Sequence, residues 1–373
     1  MSEELTNAAN TAGYWSGQVI NPVILALQNE NAALKAQLEL SITRSDLNYQ
    51  PVIDPPQTKE VLYAQACQGD TITVKSFKNQ WLAHFKANQE KHDFKANSVM
   101  LDHAKWAYKP MICAGSGPSL KINAHHLKIR GGIGLISCLH SFAFLEDLGT
   151  PADYYLTLDS QDITIGEMTQ GGKKDEQYYW DLTKDRTLIA CTVANPKLIE
   201  KWQGRILWYN TTVPDLEYMR ETEKYAFNLC FNLGGNALGA CYYFARAIVG
   251  ACPIALIGAD FCFSQKKKFH AWDSPYDQMF QGVEMANDVF GNRVWTWRSY
   301  FNFAKWFEFI SLGGGGDNPH LFYNCTEGGI LGAYPGGNVK TIIQMPLNAF
   351  IHSFNQHKMM QGLYDSGSKT LLF

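Results

Sequence analysis

A glycine-rich turn in the first half of the chain carries the residue types that bind anions. Gly115–Lys121 reads Gly-Ser-Gly-Pro-Ser-Leu-Lys and directly follows the apolar run Met111–Ala114. Glycine lets the backbone approach a ligand closely, and Pro118 suits the first position of a helix. The N–H groups that follow, with the Ser119 hydroxyl, would meet a phosphate at the positive end of that helix. The turn therefore predicts a phosphate or nucleotide site, with a tight structural turn as the alternative.

Two acidic residues and a histidine follow other apolar runs. Asp159 comes after Tyr154–Leu158, and Asp260 ends the segment Pro253–Asp260. Carboxylates at such positions bind ribose hydroxyls, hold a divalent metal or act as bases. His270 lies ten residues after Asp260, and histidine is the natural general base near neutral pH. For His270, the alternative is an ordinary loop histidine without a catalytic role.

Three later segments add candidates. Gly234-Gly235-Asn236 begins a predicted helix, with Asn236 as its N-cap, and a close-packed turn is the alternative. Thr326 and Glu327 follow the apolar run Leu321–Tyr323, so Glu327 is another carboxylate at a strand end. In the aromatic stretch that begins at Trp295, positions 300, 303 and 307 share one helix face, which is typical of core packing.

Alternation of strands and helices must position these residues. From Tyr108 onward, short apolar runs alternate with helical patterns, which is typical of parallel strands joined by right-handed crossovers. The predicted fold is an α/β, Rossmann-like parallel sheet flanked by helices. In such sheets ligands bind beyond the carboxyl ends of the strands, so the candidates above should meet there. Leu120 replaces the third glycine of the dinucleotide fingerprint, and no G-x-x-x-x-G-K-[ST] segment exists, which excludes a P-loop ATPase.

Composition narrows the function classes. The 373 residues carry a net charge of −3, so the chain lacks the basic excess of a nonspecific nucleic-acid binder. Its hydrophobic fraction is 46%, which excludes wholesale disorder. Nine cysteines without a C-x-x-C pair favour neither a zinc site nor a disulfide framework, and indicate a reducing cytoplasm. The longest apolar stretch, Ala237–Gly258, is interrupted by Arg246, Gly250 and Pro253, so no membrane span is expected.

The chain divides into four predicted regions. Residues 1–50 carry a heptad seam from Ile20 to Leu38 with Asn31 at one position, which predicts a coiled-coil oligomeriser over residues 20–41. The alternative is an amphipathic helix packed on its own domain. Residues 51–105 read as a connecting helical module with helices near Lys59–Cys67 and Phe77–His92. Residues 106–345 form the predicted catalytic domain, and residues 346–373 a C-terminal helix or tail.

Several of these segments together resemble one family. They are similar to the catalytic domain of the motility-associated-factor (Maf) flagellin glycosyltransferases and to the related archaeal 6-hydroxymethylpterin diphosphokinase (MptE-like) proteins. The matching pieces keep the family's order over residues 109–332: Ala114–Leu120, Leu148–Tyr154 with Leu158-Asp159, Gly234–Ala237, Pro253–Asp260 with His270-Ala271, and Asn324–Gly329.

The resemblance implies an enzyme and a set of site residues. In the glycosyltransferase branch, a CMP-activated nonulosonic acid is the donor, a Ser or Thr hydroxyl of a flagellin-like or other surface protein is the acceptor, and a base takes the acceptor proton. In the pterin branch, ATP and magnesium occupy the same crevice, with Asp159 as metal ligand. The implied catalytic residues are His270, Asp260 and Glu327, and the implied donor-binding residues are Gly115, Ser116, Gly117, Ser119, Asp159, Gly235, Asn236 and Thr326.

Two departures keep a different class of function open. Ala259 stands where the family usually has a glutamine before the aspartate, and the flanking domains of the flagellin enzymes are replaced by the N-terminal helix. The alternative hypothesis is a non-catalytic structural protein built on this fold, including a bacteriophage protein that forms part of the particle.

Overall fold

Within the part of the chain that the computed structural model describes, nine parallel strands form the central sheet. The structure describes residues 59–213, 215–226, 230–231, 234–274, 282–313, 320–334 and 338–355, so the predicted coiled coil of residues 20–41 lies outside the described residues. The described residues belong to one compact unit that starts at Val52. The division into a connecting helical module at 51–105 and a catalytic domain at 106–345 stays a prediction.

The strands are short, and the four at the centre of the sheet are buried along their whole length, as expected for a parallel sheet covered by helices on both faces. In chain order they are β1 Met111–Ala114, β2 Gly134–Cys138, β3 Tyr154–Thr157, β4 Thr187–Cys191, β5 Arg205–Thr211, β6 Cys230–Phe231, β7 Ile254–Ile257, β10 Phe322–Asn324 and β11 Ile342–Gln344. An antiparallel hairpin lies outside this sheet and consists of β8 Val283–Asn287 and β9 Arg293–Trp297. The predicted α/β parallel-sheet fold is confirmed.

Helices fill the connections between the strands. They are α1 Lys59–Lys91, α2 Leu120–Asn123, α3 Phe142–Asp147, α4 Ile163–Glu167, α5 Glu176–Leu182, α6 Pro196–Lys201, α7 Leu216–Ala226, α8 Ala237–Tyr243, α9 Arg298–Ser311 and α10 at residues 347–355. Helix α8 continues into a π-helical turn, Phe244–Ile248. Helix α10 lies in the region predicted as a C-terminal helix or tail at 346–373, of which residues 356–373 lie outside the described residues.

The strand order places a topological switch point beside β1. The sheet runs β11-β10-β7-β1-β2-β3-β4-β5-β6, so the chain first builds outward from β1 to β6 and then returns to add β7 on the other side of β1. Met111–Ala114 pairs with Gly134–Ser137 on one side and with Ile254–Ile257 on the other. The loops after β1 and β7 therefore leave the sheet side by side, at the place where open α/β sheets bind their ligands.

Helix α1 is one continuous helix and not the predicted pair. Its second half packs on the sheet domain through the buried side chains of Val74 and Phe85. The buried Asn88 amide donates hydrogen bonds of 3.0 and 2.8 Å to the carbonyl oxygens of Thr192 and Ala194. These contacts fix α1 beside the carboxyl end of β4, and α1 also packs against α9.

Helix α9 carries a buried ion pair on its far side. Lys305 Nζ lies 2.9 Å from Glu308 Oε2, and both side chains are almost fully buried. The Tyr334 hydroxyl donates a 2.9 Å hydrogen bond to the same carboxylate oxygen. Burial raises the pKa of Glu308, and the lysine and tyrosine oppose that shift.

Candidate functional site

A cavity of about 350 Å³ lies over the carboxyl ends of the strands at the switch point. The segments that follow β1, β2, β3, β6 and β7 supply its floor and sides, and α1, α4 and α9 supply the rest. Of the predicted residues, seven line this cavity: Gly115, Ser116, Gly117, Asp159, Gly235, Asn236 and Asp260. Most of the predicted donor-binding residues therefore line one cavity, while their roles stay predictions.

The glycine turn and the loop after β7 are in direct contact. Gly115 N–H donates to Ile257 O at 2.8 Å, and Gly117 N–H donates to Gly258 O at 3.0 Å. A Cβ at Gly117 would lie 2.2 Å from Asp260 Oδ2, so only glycine allows this approach. The two glycines are needed for packing between the loops as well as for any approach of a ligand.

Ser119 contacts Asp260, which differs from the expected arrangement. Its hydroxyl donates to Asp260 Oδ2 at 2.8 Å, and its N–H lies 3.2 Å from Oδ1. Helix α2 begins at Leu120, one residue after this serine, and has only four residues. The carboxylate of Asp260 thus occupies the place where the sequence predicted a phosphate, because a distant side chain reaches the helix start first.

Asp260 is buried, and Ser119 donates hydrogen bonds to both oxygens of its carboxylate. Burial raises the pKa of Asp260 to about 7, while the hydrogen bonds from Ser119 act in the opposite direction. The Thr326 hydroxyl oxygen accepts a 3.1 Å hydrogen bond from the N–H of Ala259. Thr326 does not line the cavity but holds the residue that precedes Asp260.

Asp159 and Glu167 bring two carboxyl groups to the cavity wall. Asp159 is exposed, and its Oδ1 accepts a 2.9 Å hydrogen bond from Gln161 N–H. Glu167 is half-buried on α4, where burial first and the charge of Asp159 second raise its pKa to about 7. Burial and the charge of Glu167 raise the pKa of Tyr300. Two carboxylates match the one or two with which proteins usually hold a nucleotide-bound Mg²⁺.

Asp159 and Glu167 are not part of a larger group of metal-binding side chains within the part of the chain that the structure describes. There, no group of three or more His, Cys, Asp or Glu side chains comes together. Asp159 as a metal ligand therefore stays a prediction.

His140 lines the cavity, whereas His270 lies directly behind it. The two imidazole rings are 4.2 Å apart, and His270 stacks on Trp272 at 5.4 Å. Burial lowers the pKa of His140 to about 4 and that of His270 to about 2, the latter with help from His140. Both rings are neutral at pH 7, so each carries a lone pair.

Glu327 lies outside the cavity. Its carboxylate is exposed and accepts a 3.1 Å hydrogen bond from Leu347 N–H at the start of α10. Gly235 and Asn236 do reach the cavity, and Asn236 caps α8 as predicted, since its Oδ1 accepts from Gly239 N–H at 2.7 Å. The candidates after β6 and β7 thus come together, while the carboxylate after β10 does not join them.

An aromatic wall completes the cavity, and sequence reasoning missed most of it. Phe77 and Trp81 come from α1, and Tyr300 and Phe303 come from α9. The spacing of positions 300 and 303 predicted a shared helix face but assigned it to the core, where Phe307 does lie. The sequence analysis also did not predict Glu167. This residue lies three positions after Thr164, so both are on one face of α4, and both line the cavity.

Comparisons with known proteins give the chain a family. None of the helices that the structure describes is long and apolar enough to cross a membrane. The structures that resemble the chain include the Maf glycosyltransferase from Magnetospirillum magneticum AMB-1, with a TM-score of 0.48 and 14% identity, covering 69% of this chain and 38% of that one. A search of curated proteins gave no match. The family model described as 6-hydroxymethylpterin diphosphokinase MptE-like matches residues 79–266, half of the chain. The chain therefore belongs to the MptE-like family, as its glycine-rich and acidic segments predicted.

Proposed function

We propose that this protein is a transferase that binds a nucleotide-activated donor in the switch-point cavity and transfers a glycosyl group to a hydroxyl. The donor is a CMP-linked nonulosonic acid, and the acceptor is a Ser or Thr side chain of a protein. The position of the cavity carries the proposal, because open α/β sheets bind their ligands where the strand order reverses. Membership of a transferase family and the order of the motifs support it.

The aromatic wall of the cavity suits the planar nucleobase of a nucleotide. At about 350 Å³ the cavity lies within the usual range of small-molecule sites, about 300–1,000 Å³. Stacking on an aromatic side chain contributes about 1–3 kcal/mol per base. Phe77, Trp81, Tyr300 and Phe303 provide such surfaces, and Gly115, Ser116 and Gly117 line the same cavity.

Hydroxyl transfer also needs a proton acceptor. Within the cavity, Glu167 and Asp260 each have a pKa raised to about 7, so both titrate near neutral pH. His140 stays neutral there. The cavity thus holds groups in both protonation states, which general acid–base catalysis requires.

A diphosphokinase activity is the second candidate. The family description favours it, and the carboxylates of Asp159 and Glu167 could hold Mg²⁺ together with the phosphates of ATP. In that reaction the same cavity would take ATP, and the acceptor would be a small-molecule hydroxyl.

Thermal unfolding with CMP, CDP, CTP, ATP and GTP, each with and without Mg²⁺, tests both candidates. A ligand at about 100 times its Kd stabilises a fold by about 2.7 kcal/mol. Stabilisation by CMP without Mg²⁺ is the expected result, and a response to ATP only with Mg²⁺ would favour the diphosphokinase. Absence of any response would contradict both and leave the structural hypothesis.

Aromatic variants show whether the response comes from this cavity. Trp81→Ala and Tyr300→Ala should each weaken CMP binding by about 5- to 160-fold, because each removes a stacking surface worth about 1–3 kcal/mol. Tyr178→Ala is the matched control, since Tyr178 is an exposed aromatic on α5 that does not line the cavity. Equal CMP affinity in all three variants would place the nucleotide elsewhere.

A further inference from the structure

We propose that His140 is the general base of the transfer reaction and that Gln170 holds its ring in the required tautomer. This inference rests on the proposed function, and it assigns the base to a residue that the sequence motifs do not include. His140 is half-buried, lies in the turn after β2 and lines the cavity, whereas His270 does not.

The hydrogen-bond partner of His140 fixes the tautomer. Nε2 lies 3.3 Å from Oε1 of Gln170, and the Ser274 hydroxyl lies 3.5 Å from the same oxygen. An amide oxygen accepts hydrogen bonds and cannot donate one, so Nε2 must carry the hydrogen. In a neutral imidazole the other nitrogen then carries the lone pair. Nδ1 of His140 is therefore the basic atom.

The surroundings keep that lone pair available. Trp272 packs edge-on to the ring at 5.2 Å, and His270 packs behind it at 4.2 Å. Because burial disfavours the imidazolium, His140 remains unprotonated throughout the neutral range. An anionic donor would raise the pKa of His140, since a nearby negative charge favours the protonated ring. The base would thus become stronger when the donor is bound.

The other titratable groups of the cavity are less suited to this role. Both oxygens of Asp260 face Ser119. Glu167 is partly protonated near pH 7, and Asp159 is exposed and hydrogen-bonded to the backbone. Tyr300 stays protonated because burial raises its pKa. Among the described residues that line the cavity, His140 is the only imidazole, and its neutral ring can accept a proton at Nδ1.

The step balances in protons and electrons. The acceptor oxygen forms a bond to the anomeric carbon of the donor as its proton passes to Nδ1 of His140. The bond from that carbon to the phosphate oxygen breaks, and its electron pair leaves with CMP. The imidazolium then returns the proton to water. With ATP as donor, the same proton transfer accompanies attack on phosphorus and departure of AMP.

Nucleotide release by the full chain tests the assignment, with CMP-N-acetylneuraminate or ATP and Mg²⁺ as donor and water as acceptor. His140→Asn should slow release at least 100-fold, the lower bound for loss of a general base, while the CMP-induced thermal shift is kept. Gln170→Glu should move the acidic limb of the kcat/KM profile to higher pH, because a carboxylate beside Nε2–H stabilises the imidazolium. His125→Asn, on an exposed histidine, is the matched control and should leave release unchanged.

The outcomes separate the two proposals. Release of CMP that persists in His140→Asn, or an acidic limb that Gln170→Glu does not move, overturns the base assignment and leaves the glycosyltransferase proposal standing. Release of AMP only, lost in His140→Asn, keeps the base and overturns glycosyl transfer. Release from neither donor, with no thermal shift from CMP, overturns both.

Discussion

Replacing Gly117 with alanine tests the contact on which the site is built. The added Cβ would lie 2.2 Å from Asp260 Oδ2 and 2.6 Å from Gly258 O. Neither neighbour can retreat freely. The Gly258 carbonyl accepts the hydrogen bond from Gly117 itself, and the Asp260 carboxylate is hydrogen-bonded to Ser119.

The expected loss of stability follows from these contacts. Overpacking a tight site costs about 1–3 kcal/mol. Loss of the hydrogen bond between the two loops adds about 0.5–1.5 kcal/mol. Together they give about 1.5–4.5 kcal/mol. At about 2 °C per kcal/mol for a large domain, the Tm of Gly117→Ala should fall by about 3–9 °C. The displaced turn should also lose the thermal shift caused by CMP.

Thermal unfolding followed by circular dichroism is the assay, with Gly166→Ala as the control. A Cβ at Gly166 meets no atom within 4 Å, and Gly166 is exposed on α4. Its replacement should be neutral or stabilise the protein by up to about 1 kcal/mol, because alanine restricts the unfolded chain. If Gly117→Ala melted within 1 °C of Gly166→Ala, the close approach of the two loops would be refuted.

Three further predictions concern buried polar groups. The pKa of Asp260 is raised from 3.8 to about 7, so between these values the folded state holds a proton that the unfolded state has lost. The free energy of unfolding should therefore fall as the pH rises from about 4 to 7. Asp260→Asn should flatten this pH dependence, as measured by denaturant titrations at pH 5 and 8. Asn88→Ala removes the hydrogen-bond donor of two buried carbonyl groups and should lower the free energy of unfolding by about 1–3 kcal/mol or more. The control Asn79→Ala, at an exposed asparagine, should lower it by at most about 0.5 kcal/mol. Urea unfolding measures both. Lys305→Met leaves the buried Glu308 without its cation and should cost about 3–5 kcal/mol in the same assay.

The fold could be predicted wherever a strand is a short apolar run ended by glycine or aspartate, as in Met111–Ala114. The two-residue strand β6 and the edge strand β11 gave too little pattern to detect. Helix α1 was predicted as two helices, near Lys59–Cys67 and Phe77–His92, and the segment between them contains Gly69. One interior glycine costs only about 1 kcal/mol, which tertiary packing outweighs. Local sequence thus predicted the centre of the sheet better than its edges.

The site could be predicted only in part, for a related reason. Strand ends identify residues such as Asp159 and Asp260 because the topology brings them together. Periodicity shows that Tyr300 lies on a helix face but not which surface that face meets. No local pattern shows that Ser119 would bond to a side chain 141 residues later in the chain.

The position of β7 also sets when the site can exist during synthesis. β1 pairs with β2 and β7, and β7 follows the whole half of the sheet from β1 to β6. A nascent chain that ends before Ile254 therefore leaves one edge of β1 open, and an apolar open edge promotes aggregation. Because Tyr300 and Phe303 also line the cavity, the ribosome must release residues well beyond 303 before a donor can bind.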